Sequence, residues 1–366
     1  MNIDIRPITV PERLDGDVAE LAAYGELIRR LDAETLGTSD LSRRPPELLR
    51  DLREADYSAR TAFGAFDAGR LVGLAEVQWE LDDDATMAYV EILGVEPVRR
   101  RAGIGSTLLA AAEEAARAAG RPTTVLWAEH LLDGVDPDAP RLHAPQGDAS
   151  IPADAPAARF ARAHGYELGQ LYRVSALDIA GRGDEFRAGL DSARDQASDG
   201  YRLVGWRDRA PDDLVDSLAH AYERMSVDPP SGAISFEFEP WDAARVRNRE
   251  RKALAAGRTN LNFAAVTPDG VVAGFTELSL LPDSRAVEQW DTIVLAPHRG
   301  HRLGMRMKLA NLVALAEADP SRNRIYTWNA DENAHMLAIN VALGFRPFAL
   351  ESTWQRPTPG GSRAAS

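Results

Sequence analysis

Apolar and polar residues alternate along 61–80, "TAFGAFDAGRLVGLAEVQWE", with one break at Asp67-Ala68-Gly69. The pattern predicts strand, turn, strand. It returns at 261–280, "LNFAAVTPDGVVAGFTELSL", with Gly73 and Gly274 in like places. An apolar strand, a basic turn and an amphipathic helix follow each hairpin, as "EILGVEPVRRRAGIGSTLLAAAEEAARAAG" (91–120) and "DTIVLAPHRGHRLGMRMKLANLVALAEAD" (291–319). Each unit closes with an apolar helix, a glycine and a strand: "ARFARAHGYEL" and "MLAINVALGFRPF". Each opens with a strand before an amphipathic helix, "IDIRPITV" and "YRLVGWRD".

The repeat divides the chain into two copies of one α/β unit. The first spans 1–180 and the second 201–366; 181–200 links them through a short helix, and 357–366 reads as a disordered tail. A length of 366 residues fits two cores better than one.

Composition narrows the function. A formal net charge of −14 argues against a general nucleic-acid binder and favours cationic partners. The absence of cysteine excludes disulfides, thiolate nucleophiles and thiolate metal sites. The start, "MNIDIRPITV", does not read as a secretory signal, and no apolar run is long enough for a bilayer. A cytoplasmic enzyme is the expectation, with no membrane or nucleic-acid partner. Lysine occurs only at Lys252 and Lys308, which reads as compositional bias beside the abundant arginine.

The basic turn carries the chemistry. In "VEPVRRRAGIGSTLL" (95–109), Arg99, Arg100 and Arg101 run into Gly103-Ile104-Gly105 at the mouth of a helix. Free N–H groups and the helix dipole make such a place a seat for an anion. Three phosphate loops compete. The P-loop lysine is missing. The third glycine of the dinucleotide fingerprint is replaced by Leu108. What remains is Arg/Gln-x-x-Gly-x-Gly/Ala after a strand of the form Leu-x-Val-x-Pro, met by Leu93, Val95, Pro97, Arg100, Gly103 and Gly105.

On these residues the chain resembles the GNAT superfamily of acyl-CoA-dependent N-acetyltransferases, in a tandem two-domain form. The second half resembles it through Thr292, Val294, Arg299, Gly300, His301 and Gly304. The resemblance implies a mixed α/β fold: two GNAT-like domains, each a splayed, largely antiparallel sheet with helices on both faces. It implies acetyl-CoA as cofactor, its pyrophosphate on the loop amides and its pantetheine arm along the splayed strand. The cofactor residues it marks are Leu93, Val95, Arg100, Arg101, Ala102, Gly103, Ile104 and Gly105 in one half. In the other they are Thr292, Val294, Arg299, Gly300, His301, Arg302, Leu303, Gly304, Asn329 and Asn333. Arg302 stands where the first loop has glycine, and it is strained if that backbone needs positive φ. His298 and His301 read as surface or phosphate-side residues, and no metal site is expected.

Transfer to an amine needs a base for the ammonium proton. Relatives place a glutamate six residues before the motif valine, which gives Glu288 in the second half and Tyr89 in the first, with Glu91 as the nearest first-half counterpart. Strand alternation puts Glu288, Trp290, Thr292 and Val294 on one face and Asp291 on the other. The family's general-acid tyrosine falls on Ala161 and on Asn340; its asparagine falls on Asp154 and Asn333. The second half is therefore expected to work, with Glu288 and Asn340 as catalytic candidates. The first is expected to be a structural or regulatory copy. The resemblance implies a primary amine of a small molecule or peptide as acceptor, and the rival class is a non-catalytic acyl-CoA sensor or scaffold. The insertion 131–152 reads as a lid, an interdomain brace or a plain surface loop. Glu237, Glu239, Trp241 and Asp242 read as an acceptor wall or as capping and packing residues.

Overall fold

The computed structural model describes residues 3–53, 55–136, 138–195 and 200–356; the expected tail at 357–366 lies outside them. The first half runs β1 (Ile3–Pro7), α1 (Ala19–Leu36), α2 (Pro45–Arg53), β2 (Ser58–Asp67), β3 (Arg70–Glu80), β4 (Met87–Val95), α3 (Ile104–Ala118) and β5 (Thr123–Leu131). A small hairpin, β6 (Arg141–His143) and β7 (Ser150–Pro152), precedes α4 (Pro156–Ala163) and β8 (Glu167–Asp178). After α5 (Gly183–Asp195) the second half repeats the series. It has β9 (Arg202–Arg207), α6 (Val215–Met225), α7 (Ala243–Ala255), β10 (Thr259–Val266), β11 (Val272–Leu280) and β12 (Ala286–Val294). Then come α8 (Leu303–Ala318), β13 (Arg324–Ala330), α9 (Ala334–Leu343) and β14 (Arg346–Gln355).

The large strands form one twelve-stranded sheet in the order β1-β2-β3-β4-β5-β14-β8-β13-β12-β11-β10-β9. Only β4–β5 and β12–β13 pair in parallel. Read from either edge, the sheet gives the same series, except that each half's last strand lies in the other half. β14 pairs with β5, and β8 pairs with β13. The two sheets expected from the repeat are thus joined into one. The exchange leaves no open edge at the centre, where unpaired N–H and C=O groups would otherwise face solvent.

Helices cover both faces. Leu108, Leu109 and Ala112 of α3 pack with Ala158 and Ala161 of α4 on one face of the first half; Tyr24, Leu27 and Ile28 of α1 cover the other. In the second half α8 packs with Leu343 of α9, and Leu218 and Tyr222 of α6 lie opposite. The connecting helix α5 is part of that core, since Phe186 and Leu190 are buried against Leu309 and Leu312.

The insertion at 131–152 ties the halves together. The backbone N–H groups of Asp148 and Ala149 both donate to Asp331 Oδ2 at 2.6 Å, at the end of β13. Arg173 of β8 pairs with the other oxygen. Of the expected readings, this is the brace.

Candidate functional site

Both halves open a seam beside the strand that precedes the basic turn. β4 pairs with β5 only from Met87 to Val90, and β12 with β13 only from Ala286 to Gln289. Beyond those points the parallel neighbours part, and main-chain groups of the strand are left for a ligand. A bulge lies at each parting. Opposite β3, Glu91 is the extra residue; opposite β11, Trp290 and Asp291 together face Glu277.

The bulge corrects the expected faces. Thr292 pairs with Thr276, and their hydroxyls meet at 2.8 Å. Glu288 pairs with Ser279, on the opposite face. One added residue reverses the alternation. Glu288 therefore shares its face with Asp291 and Glu277, not with Thr292 and Val294.

The two turns are near copies with glycine and arginine exchanged. Arg101 (φ 65) and Gly103 (φ 82) take positive φ in the first; Gly300 (φ 89) and Arg302 (φ 58) do so in the second. Arg302 thus adopts the left-handed backbone that Gly103 adopts without cost. Replacing Arg302 by glycine should stabilise the chain by roughly 1 kcal/mol, seen as a rise of about 2 °C in thermal denaturation. A fall would show that the guanidinium contributes more than the strain removes.

Arginine braces each turn. Arg100 Nε donates to the Val95 carbonyl at 2.9 Å, and Arg299 Nε to the Val294 carbonyl at 3.1 Å. The Arg100 fork is closed by Glu34 of α1, two bonds at 2.7 Å. Among the described residues the carboxylate that Arg299 meets is Asp228, at 3.4 Å. His298 accepts or donates at 2.8 Å with the Tyr201 hydroxyl, and His301 packs on the same ring. Gly105 and Gly304 have ordinary negative φ. A Cβ there would meet Phe160 or Ile339 at 3.2 Å, so these glycines let α4 and α9 approach the helix start. Leu93, Val95 and Ile104 pack in the core beneath the first turn, while Ala102 is exposed.

A cavity of about 1580 Å³ lies in the second half. Of the expected residues, Glu288, Thr292, Val294, Arg299, Gly300, Arg302, Leu303, Gly304, Asn329 and Asn333 line it. The first-half turn residues do not, although Tyr89 and Tyr172 reach its wall. Asn333 caps α9, accepting from the Met336 N–H at 3.2 Å. Asn340 lies just behind the wall. Its amide donates to Asn329 Oδ1 at 2.6 Å and its oxygen accepts from Lys308 Nζ at 3.1 Å.

The carboxylates differ in what they can do. Glu288 is paired with Arg258, which also holds Glu47 of α2 at 2.5 Å, and it accepts from Trp290 Nε1 at 2.8 Å. It serves as an ionic link between the halves. Asp291 has Arg249 at 3.0 Å. Burial, with Glu277 and Glu239 adding to it against Arg249, raises its pKa. Of the acceptor-wall candidates, Glu237 and Glu239 line the cavity, while Asp242 caps α7 through the Arg245 N–H. Glu237 also accepts from the Thr86 hydroxyl at 2.6 Å.

Sequence reasoning passed over two features. Glu76 and Glu277 are buried partners of Tyr24 and Tyr222, each three residues after an aligned glycine, so the repeat itself carried the signal. Lys308 is the other. Its signal was the one lysine of α8, set among Met307, Leu309 and Ala310.

Residues 27–144 match the acetyltransferase (GNAT) family model. The chain is similar to a tandem GNAT protein from the clavulanic acid biosynthesis pathway, at 27% identity over 99% of this chain and 100% of that one, with a TM-score of 0.72. A GCN5-related N-acetyltransferase from Sphaerobacter thermophilus shares the fold at 16% identity and a TM-score of 0.59, over 97% and 96% of the two chains. No curated protein matches the chain by sequence. Among the described residues no helix is long and apolar enough to cross a membrane, and no cluster of side chains could hold a metal ion.

Proposed function

We propose that this tandem GNAT protein moves an acetyl group from acetyl-CoA to a primary amine, with the second half as its working site. The observation that carries the reading is the cavity, which joins the turn at 298–304, the open edge of β12 and the carboxylates beside it. The residues fit the cofactor. The turn takes positive φ at Gly300 and Arg302 just before α8, and the uncapped N–H groups at that helix start would suit an anion. The unpaired stretch of β12 has main-chain groups for the pantetheine amides. Bound acetyl-CoA would supply the activated acyl group.

The chain's own residues do the rest. Glu237, Glu239 and Asp291 make the acceptor side acidic and suit a cationic amine. Asp291 is the better-placed proton acceptor, because its environment favours the protonated form. Each carboxylate has an arginine, but Glu288 also accepts from Trp290 Nε1 and its Arg258 holds Glu47 of α2, so a proton on Glu288 would undo the link between the halves. In the first half, α1 packs over β3, β4 and β5, and Glu34 closes the Arg100 fork. These contacts support a structural role for that copy.

The test is an amine screen followed by two substitutions. Asp291→Asn should lower kcat by roughly 100-fold and leave calorimetric CoA binding unchanged. Glu288→Gln should act mainly on stability. Equal CoA binding with undiminished turnover in Asp291→Asn would return the base to Glu288. Failure of every amine class would favour the acyl-CoA sensor.

A further inference from the structure

Lys308 sits in α8, one turn beyond Gly304, and points inward. It is 1% exposed yet lines the cavity. Among the described residues no carboxylate pairs with its ammonium; its hydrogen bond goes to Asn340 Oδ1 at 3.1 Å. Asn340 in turn donates to Asn329 Oδ1, also on the cavity wall. A buried ammonium without a counter-ion is costly to keep.

The repeat shows that folding does not require it. Register aligns Gly73 with Gly274, Val95 with Val294 and Thr123 with Arg324. Gly105 then aligns with Gly304, so Lys308, Asn340 and Asn329 correspond to Leu109, Ala161 and Ala128. Leu109 and Ala161 are packed in an apolar core. The same fold position is satisfied by hydrocarbon in one half. In the other it carries a chain of lysine and two amides, and that is the half with the large cavity.

We propose that Lys308 is the proton donor to the departing CoA thiolate, with Asn340 and Asn329 as positioning residues. The proposal rests on reading the cavity as an acyl-CoA site. The amine nitrogen attacks the thioester carbon, the N–C bond forms, and the C–S bond breaks with its electron pair on sulfur. The Lys308 ammonium gives that sulfur a proton, leaving CoA as the thiol and the lysine as a neutral amine. The acceptor ammonium gives its first proton to Asp291 before attack. The nitrogen, cationic once the N–C bond has formed, sheds a second, which passes through the open cavity and restores the Lys308 ammonium. Asp291 releases its proton to solvent as the one net proton of the reaction. Sulfur is neither oxidised nor reduced.

Burial lowers the Lys308 pKa to about 7, near the value that makes a general acid effective in neutral solution. Burial alone causes that shift; the titratable groups that share the cavity wall are Glu288 and Asp291 from β12, Arg249 from α7, Arg306 from α8, His335 from α9, His298, Arg299 and Arg302 from the turn, Asp228, Glu237 and Glu239 before α7, and Tyr89 and Tyr172 from the first half. From α5 the wall takes Ser192, and from β13 Thr327 and Asn329, with no titratable group.

The test uses the full chain with Lys308→Leu, the first half's own residue, and Lys308→Met. Two readouts are compared: steady-state transfer against pH, and titration of the thiol of bound CoA by thiolate absorbance. Wild type should lose activity as pH rises past about 7, because the donor must be protonated. Its bound thiol should titrate below the ordinary thiol value of about 8.5. Both variants should bind CoA, lose roughly 100-fold in kcat with little change in KM for the acyl donor, lose the basic limb, and return the thiol to its ordinary titration. If wild type acetylates no amine but the thiol shift is present and vanishes in the variants, the acceptor reading fails and the sulfur partner stands. An unshifted thiol in wild type, or unchanged kcat and thiol titration in folded variants, overturns the proposal.

Discussion

A chain carrying Gly304→Glu should lose CoA binding in the second half and, with it, acetyl transfer. A Cβ at residue 304 would already lie 3.2 Å from Ile339 on α9. The remainder of a glutamate side chain would enter the cavity and place a carboxylate where the proposed site takes phosphate oxygens. Repulsion and lost space act together, so affinity should fall by at least about 100-fold, or roughly 3 kcal/mol. Gly103→Glu is a different perturbation. Its Cβ would meet nothing within 4 Å, and the penalty is backbone strain at φ 82, about 1–2 kcal/mol. That variant should keep most of its transfer activity. Calorimetry with CoA and a transfer assay on both variants decide the matter. The reverse ranking would move the working site to the first half, where the family model matches.

The largest effect on stability is expected at Glu76. Its side chain is fully buried and accepts from the Tyr24 hydroxyl at 2.5 Å and from Arg43 at 2.8 Å, with Arg60 on the other oxygen. Glu76→Ala leaves two guanidinium groups side by side without their carboxylate, at a cost of about 3–5 kcal/mol. That is a large part of the usual stability of a domain. Chemical denaturation of the variant should show it, and a loss under about 1 kcal/mol would mean that Asp51 takes over the pairing. Burial works against ionisation of Glu76, but the two arginines prevail and hold its pKa at about 2. The pair therefore contributes fully above the ordinary glutamate pKa of about 4.3, and the contribution is lost as pH falls toward 2. The counterpart Glu277→Ala should cost less, since Arg249 keeps Asp291.

The repeat, the order of elements and both turns were legible because each depends on local periodicity and on residues that only one backbone shape favours. Arg302 was flagged as strained if its φ were positive, and φ is 58. The faces around Glu288 were misread because a bulge adds one residue without any change in composition. The ionic link from Glu288 through Arg258 to Glu47 joins positions far apart in the chain, and no spacing rule reaches that far. Lys308 was visible as a rarity, but its meaning depends on burial.

The exchange of β8 and β14 bears on how the molecule is made. The first half is complete in sequence at Asp178, yet the strand that fills the gap between β5 and β8 is residues 346–355. On the ribosome, the first half therefore has to wait as an unfinished sheet while the whole second half is synthesised. Two strand edges stay exposed during that interval, in the state most prone to misassociation. Such long-range closure is also slow. A nascent chain stalled before residue 346 should then depend on chaperones, and neither half cut out at the repeat boundary is expected to live as a soluble domain.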